Sequence, residues 1–174
     1  KGAVVHGYHA LRELAAAKGK RLLFEATVLG GTPVFSLFRE TLPAARLLRF
    51  RGILNSTTSV VLSEMEAGRT FDDAVKKAQE LGVAETDPSA DVDGWDAAVK
   101  VHTLATVLMD ARMKLEEIAR EGIRNIAPEA VRAASAAGGR IRLVARAEKT
   151  SERVEASVRP EQIAPGDPLA AVSP

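Results

Sequence analysis

Five carboxylates fall within twelve positions in the stretch Glu85-Thr-Asp-Pro-Ser-Ala-Asp-Val-Asp-Gly-Trp-Asp96, next to a run that reads as the start of a helix. Acids near a helix start gain from the positive end of its dipole, so capping and solvation are the ordinary account of such crowding. A calcium loop is a second account. Setting Gly94 on the glycine of an EF-hand puts Asp91 and Asp93 on ligand positions, but Ser89 then stands first and Lys100 twelfth, where a bidentate Glu is needed. That reading fails at its two most demanding positions. A third account is catalytic. Asp96 and Lys100 are four apart and share a helix face. On an open surface they form an ion pair worth at most about 1 kcal/mol. In a cleft, the Asp can hold a polar substrate while the Lys delivers a proton to an oxygen that is becoming an alkoxide. Spacing leaves both readings open.

Other residues with chemical potential carry less. The turn Gly30-Gly31-Thr32-Pro33 follows an apolar run, and such a turn can aim several backbone oxygens at one ion, although a plain turn is its commoner use. His6 and His9 lie three apart on a predicted helix, but a zinc site generally needs three protein ligands and no third is evident, so they read as surface or partly buried histidines. Trp95 reads as a packing anchor at a helix start. Asn55-Ser-Thr57 matches a glycosylation sequon, yet nothing points to secretion, and its polar side chains serve equally as helix caps.

The elements that must carry these residues follow from periodicity. Val5, Leu11, Leu14 and Ala15 recur at helical spacing between Val4 and Lys18, and Gly19 closes that helix. Residues 21–27 read as a short strand and 34–42 as a short helix, followed by a basic strand over 46–54. Asn55 to Ser59 offer caps for a helix ending near Gly68, and Thr70 caps another that ends at Leu81-Gly82. A loop over 85–94 precedes a long helix over 95–109, whose buried side is Ala97, Ala98, Val101, Leu104, Ala105 and Leu108. Shorter helices are expected over 114–120 and 128–137, and then two alternating strands, 140–147 and 153–159, form a hairpin. Their apolar sides need cover. The fold class expected is therefore α+β, a mixed or antiparallel sheet with helices packed on one face.

Composition narrows the function classes. A chain of 174 residues is long enough for one sizeable core, so residues 1–174 are expected to form one domain. With 24 Lys+Arg against 23 Asp+Glu the net charge is +1, which favours no polyanionic partner, and no nucleic acid is expected. The absence of cysteine excludes disulfides, thiolate zinc sites and a Cys nucleophile, and fits a cytoplasmic enzyme. No run approaches the roughly 20 apolar residues that span a bilayer, so no membrane partner is expected. The chain starts at Lys1 rather than Met and both ends read as cuts inside a longer protein.

Three blocks, taken in order, have a further meaning. Gly52-Ile-Leu-Asn-Ser-Thr-Thr-Ser-Val-Val-Leu62, Ala78-Gln-Glu-Leu-Gly-Val-Ala-Glu-Thr-Asp-Pro88 and Asp91-Val-Asp-Gly-Trp-Asp-Ala-Ala-Val-Lys100 closely resemble the signature region of homoserine dehydrogenases. Phe24-Glu-Ala-Thr-Val-Leu-Gly-Gly-Thr-Pro33 is similar to a fourth family block, and Asp167-Pro-Leu-Ala170 resembles the segment preceding the return to the nucleotide domain. The resemblance implies that Lys100 and Asp96 are catalytic, that Lys1 stands at the place of a second catalytic lysine, and that Glu85 binds the amino group of the amino acid substrate with Asp91 assisting. It also implies that Thr57 lies near the substrate, and that the Glu25 side chain with the backbone oxygens of Val28, Gly30 and Thr32 makes a monovalent cation site for Na or K.

The activity implied is reversible reduction of L-aspartate 4-semialdehyde to L-homoserine with NADP or NAD, a step in threonine, methionine and isoleucine biosynthesis, by an enzyme that dimerises through this domain. No G-x-G-x-x-G occurs, so the cofactor is expected to be held mainly by a nucleotide-binding domain outside the chain, and the chain alone is expected to be inactive. Ser56-Thr-Thr-Ser-Val60 replaces the family's common Gly-Thr-Thr-Asn-Tyr, and Val83 replaces a common aromatic residue. These departures keep two alternatives open: a paralogous semialdehyde or keto-acid reductase, and a non-catalytic dimerisation or sensing module.

Overall fold

A computed structural model describes residues 1–173. One four-stranded mixed sheet, ordered β1-β3-β4-β2, carries helices packed against it, in the expected α+β class. Strands β3 (Arg140–Lys149) and β4 (Val154–Ile163) form the hairpin, with Ala145 opposite Val158 and Ala147 opposite Ala156. Strand β1 (Arg49–Gly52) pairs antiparallel to β3, and the two-residue β2 (Ala119–Arg120) pairs parallel to β4. Period-two alternation in β3 sends Leu143, Ala145 and Ala147 into the core, while Arg146 and Glu148 stay exposed on the opposite face beside Arg49 and Arg51 of β1.

The helices are α1 (Gly2–Ala17), α2 (Val34–Thr41), α3 (Ser56–Glu66), α4 (Phe71–Glu80), α5 (Ser89–Val92), α6 (Trp95–Leu108) and α7 (Pro128–Ala136). Helix α6 packs on β3 and β4, and its buried Ala97, Ala98 and Ala105 let it lie close to the strands. Leu108, expected on the buried side, is only partly buried. Helix α3 buries Val60, Val61, Leu62 and Met65 against the same core, which continues to Ala74 and Ala78 of α4 and Val131 of α7. The predicted caps are present. The Asn55 side chain accepts the Thr58 N–H, and the Thr70 hydroxyl accepts the Asp73 N–H, each cap contributing about 1 kcal/mol.

Three local expectations are corrected. Residues 21–27 form no strand, because among the described residues no strand lies beside them to complete a ladder; Phe24 instead packs edge-on against Phe35 and Tyr8. Residues 114–120 form a single 3-10 turn (Leu115–Glu117) and then β2 rather than a helix. The Glu117 carboxylate takes the Lys114 N–H and closes that one turn, while Ile118 is buried and pairing with β4 claims the next two residues. The acidic loop is not wholly irregular, since α5 occupies its centre. The described residues contain no helix long and apolar enough to cross a membrane.

Candidate active site

The N-terminal turns of α3, α5 and α6 converge, and their polar side chains meet at Asp96. Its Oδ1 lies 2.6 Å from Lys1 Nζ and its Oδ2 lies 2.6 Å from Lys100 Nζ, so two ammonium groups flank one carboxylate from opposite ends. The Asp96 and Lys100 side chains are only 16% and 17% exposed, and this burial favours the cleft reading over the open-surface ion pair. Lys100 also donates to the Leu54 carbonyl at 2.7 Å, which leaves one of its three N–H donors for a ligand. Lys1 is 41% exposed and spends one donor on Asp96. Burial alone would raise the Asp96 carboxyl, but hydrogen bonds from Lys1, Lys100 and Asn55 outweigh it and hold the group below the usual carboxylate range.

Asn55, buried at the start of α3, is the member that motif reading missed. Its Nδ2 donates to Asp91 Oδ1 at 2.6 Å and to Asp96 Oδ2 at 3.1 Å, while its Oδ1 accepts the Thr58 N–H at 2.8 Å. The signal in the sequence is the choice of an amide at a cap, because capping uses the oxygen and leaves two N–H donors for something else. Lys1, Asp96, Lys100 and Asp91 are thus brought together. Thr57 stands apart from that cluster: its buried hydroxyl donates to the Val83 carbonyl at 3.2 Å and ties α3 to the loop that carries Glu85. Glu85 is exposed, and its carboxylate has no hydrogen bond or ion pair among the described residues. Gln79, also missed, anchors the loop beneath it by donating to the carbonyls of Glu85 and Thr86, both at 3.1 Å.

The acidic loop is clamped from its other side. Arg124 grips the Asp93 carboxylate with two nitrogens, at 2.9 and 3.2 Å, and Arg120 donates to the Asp93 carbonyl while its guanidinium lies 3.8 Å above the Trp95 ring. Trp95 is accordingly a half-exposed stacking platform rather than the packing anchor expected. Gly94 enters α6 with φ of 81°, a conformation glycine adopts without the steric cost other residues bear.

The glycine-rich turn lies elsewhere, against α2. Glu25 turns its carboxylate to the N-terminus of that helix, accepting the N–H groups of Phe35 at 3.0 Å and Ser36 at 2.9 Å and the Ser36 hydroxyl. Burial raises this carboxyl, but the Ser36 hydroxyl and the two N–H groups outweigh it and hold the group low. Three donors occupy most of what a carboxylate can accept, so Glu25 has little capacity left for direct ligation. Among the other candidates, Thr32 gives its carbonyl to the Val34 N–H, and Val28 is buried. Ala26, with φ of 48°, adopts a left-handed conformation that a non-glycine residue keeps only when its surroundings impose it.

Comparison with known proteins places this arrangement. The family model described as homoserine dehydrogenase matches residues 33–174. An NAD(+)-dependent homoserine dehydrogenase of Pseudomonas canavaninivorans is 36% identical over 97% of this chain and 48% of its own length. The crystal structure of a homoserine dehydrogenase from Thiobacillus denitrificans superposes with a TM-score of 0.88 at 37% identity, covering 98% of this chain and 40% of that one. A hyperthermophilic archaeal homoserine dehydrogenase mutant in complex with NADPH superposes at 0.81 with 32% identity, covering 98% of this chain and 49% of that one. The chain therefore spans about half, or less, of the length of these relatives. With identity above 30% over nearly all its residues, the chain belongs to the homoserine dehydrogenase family.

Proposed function

We propose that this chain is the catalytic and dimerisation domain of an NAD(P)-dependent homoserine dehydrogenase, interconverting L-homoserine and L-aspartate 4-semialdehyde in threonine, methionine and isoleucine biosynthesis. The observation that carries the reading is the flanking of Asp96 by Lys1 and Lys100 beside Asp91 and an unengaged Glu85, within a family of that activity. The nicotinamide, when bound, exchanges the hydride with the substrate carbon. The chain itself lacks a dinucleotide fingerprint, so we assign the nucleotide to a portion of the enzyme beyond these residues, and expect this chain alone to be inactive.

The residues of this chain bind, orient and move the proton. Glu85 takes the substrate ammonium group. Asp96 fixes the two lysines, and one of them gives its proton to the oxygen that gains charge as the aldehyde is reduced, then takes it back in the reverse direction. Lys100 is the better-placed donor, because its neighbours leave a single N–H uncommitted and its partial burial fixes where that N–H points. Thr57 contributes by holding the Glu85 loop to α3. A Na or K ion, where bound, would be held by the carbonyls of Val28, Gly30 and Thr32, with Glu25 supplying negative charge from the start of α2. We further propose a homodimer built through this sheet and a cytoplasmic setting. The test is a substrate panel on the full-length protein with both nucleotides. Preferential turnover of L-homoserine supports the reading, and preference for another hydroxy acid would replace it with the paralogous reductase.

A further inference from the structure

Asn55 does more than cap a helix. Its Oδ1 is committed to the Thr58 N–H, which forces both Nδ2 protons outward, and there they meet two carboxylates from two other elements, Asp91 of α5 and Asp96 of α6. An amide is the one side chain of this size that satisfies all three contacts at once, since it accepts on one side and donates twice on the other. The residue is 6% exposed, so an orphaned donor or acceptor here would have no water to turn to. The neighbouring Leu54 carbonyl takes Lys100, so the same two residues at the entry to α3 hold both members of the Asp96–Lys100 pair.

We propose that Asn55 is the positioning residue of the site: it fixes Asp91 and Asp96 in one arrangement and thereby sets where Lys100 presents its free proton. The proposal rests on the function proposed above only for the choice of assay substrate. The charged groups facing Asp96 are Lys1 at the start of α1 and Lys100 on α6, with Asp91 the other carboxylate on the shared amide. Asn55 stands between the two acids as a neutral donor. Removing its donors leaves like charges to face one another across the gap and takes from Asp96 one of the hydrogen bonds that hold it low.

Two variants of the full-length protein test this. Asn55→Ser keeps a cap oxygen and loses both amide N–H donors, its shorter hydroxyl being unable to bridge the two acids; Asn55→Asp keeps shape and cap and adds a third carboxylate. For Asn55→Ser we expect kcat to fall about ten- to a hundredfold with KM changed less than threefold, and the melting temperature to fall by several degrees. For Asn55→Asp we expect the acidic limb of the kcat profile to move up by about one pH unit, so that raising pH restores part of the activity. Carboxyl-carbon NMR titration of Asp96 gives the activity-independent readout, and its midpoint should rise in both variants, because the Asn55 hydrogen bond helps to hold it low. An unmoved Asp96 midpoint overturns the proposal, as do losses of kcat that follow thermal stability alone with an unshifted pH limb. A wild-type protein inert on homoserine would instead refute the functional reading, and the titration would still decide the role of Asn55.

Discussion

Replacing Gly122 by alanine should damage both stability and catalysis, although Gly122 touches none of the proposed catalytic residues. A Cβ at this position would lie 2.3 Å from the Val92 carbonyl oxygen, 2.6 Å from Asp93 Cα and 2.9 Å from the Asp93 carbonyl carbon. All three atoms are backbone, so no side chain can swing aside. Nor can Gly122 retreat, because the Glu121 N–H donates to the Val158 carbonyl at 2.8 Å and the Ile123 N–H to the Val92 carbonyl at 2.8 Å, tethering it on both sides. Bringing the closest contact from 2.3 Å out to 3.0 Å requires a shift of about 0.7 Å in the segment that carries Asp91 and leads through Gly94 into Asp96. Overpacking of this kind costs about 1–3 kcal/mol. For a domain of this size that lowers the melting temperature by about 2–4 °C per kcal/mol. A displacement approaching ~1 Å at the reacting groups lowers turnover by about a hundredfold. The assay is differential scanning calorimetry beside steady-state turnover of the full-length variant. Gly7→Ala is the control, since an added Cβ there meets only Leu11 side-chain atoms at 3.5 and 3.7 Å and gains up to about 1 kcal/mol of helix propensity. Unchanged melting and turnover in Gly122→Ala would refute the claim that this close approach holds the acidic loop.

Further predictions concern charge. Arg142 is fully buried and paired with Glu66 at 2.8 Å, so Glu66→Ala should leave an uncompensated charge and destabilise by about 3–5 kcal/mol, seen as a lower urea midpoint; a midpoint shifted by less than a tenth would show the pair to be unimportant. Asp96 and Glu25 are both held below their ordinary values of 3.8 and 4.5, so the stability they add is complete above about pH 4.5 and is lost as pH falls through their lowered values. Asp96→Asn should flatten that acid limb in a pH series of melting temperatures, and an unchanged limb would contradict it. Arg120→Ala removes both the stacking on Trp95 and the bond to the Asp93 carbonyl, and should change the emission spectrum of Trp95, the one tryptophan in the sequence, while raising KM more than it lowers kcat; an identical spectrum and KM would count against the clamp.

Much of this arrangement was legible before any coordinates, for reasons specific to each element. Asn55 and Thr70 announce α3 and α4 because a cap is a local hydrogen bond, and the alternation is clearest in the second half of β3, where Ala145 and Ala147 meet the core while Arg146 and Glu148 stay exposed. The spacing of Asp96 and Lys100 states that they share a face, and the family motifs name the residues that gather there. What local pattern could not supply is partnership. Residues 21–27 have strand character but no ladder neighbour, and residues 114–120 have helix formers but yield to pairing with β4. The double duty of Asn55, the burial of Arg142 in a strand and the stacking of Arg120 on Trp95 each depend on residues 25 to 79 positions away, or on a face chosen by the whole sheet.

The measurement closest to the central claim is nucleotide-dependent oxidation of L-homoserine by the full-length protein, run beside its Lys100→Ala variant and beside this chain alone. The account predicts turnover by the intact protein, loss of most of it in Lys100→Ala at unchanged melting temperature, and none from the isolated chain. Near-normal turnover by a folded Lys100→Ala variant would contradict the proton-transfer role, and an intact protein that binds nucleotide yet leaves homoserine untouched would contradict the functional reading itself.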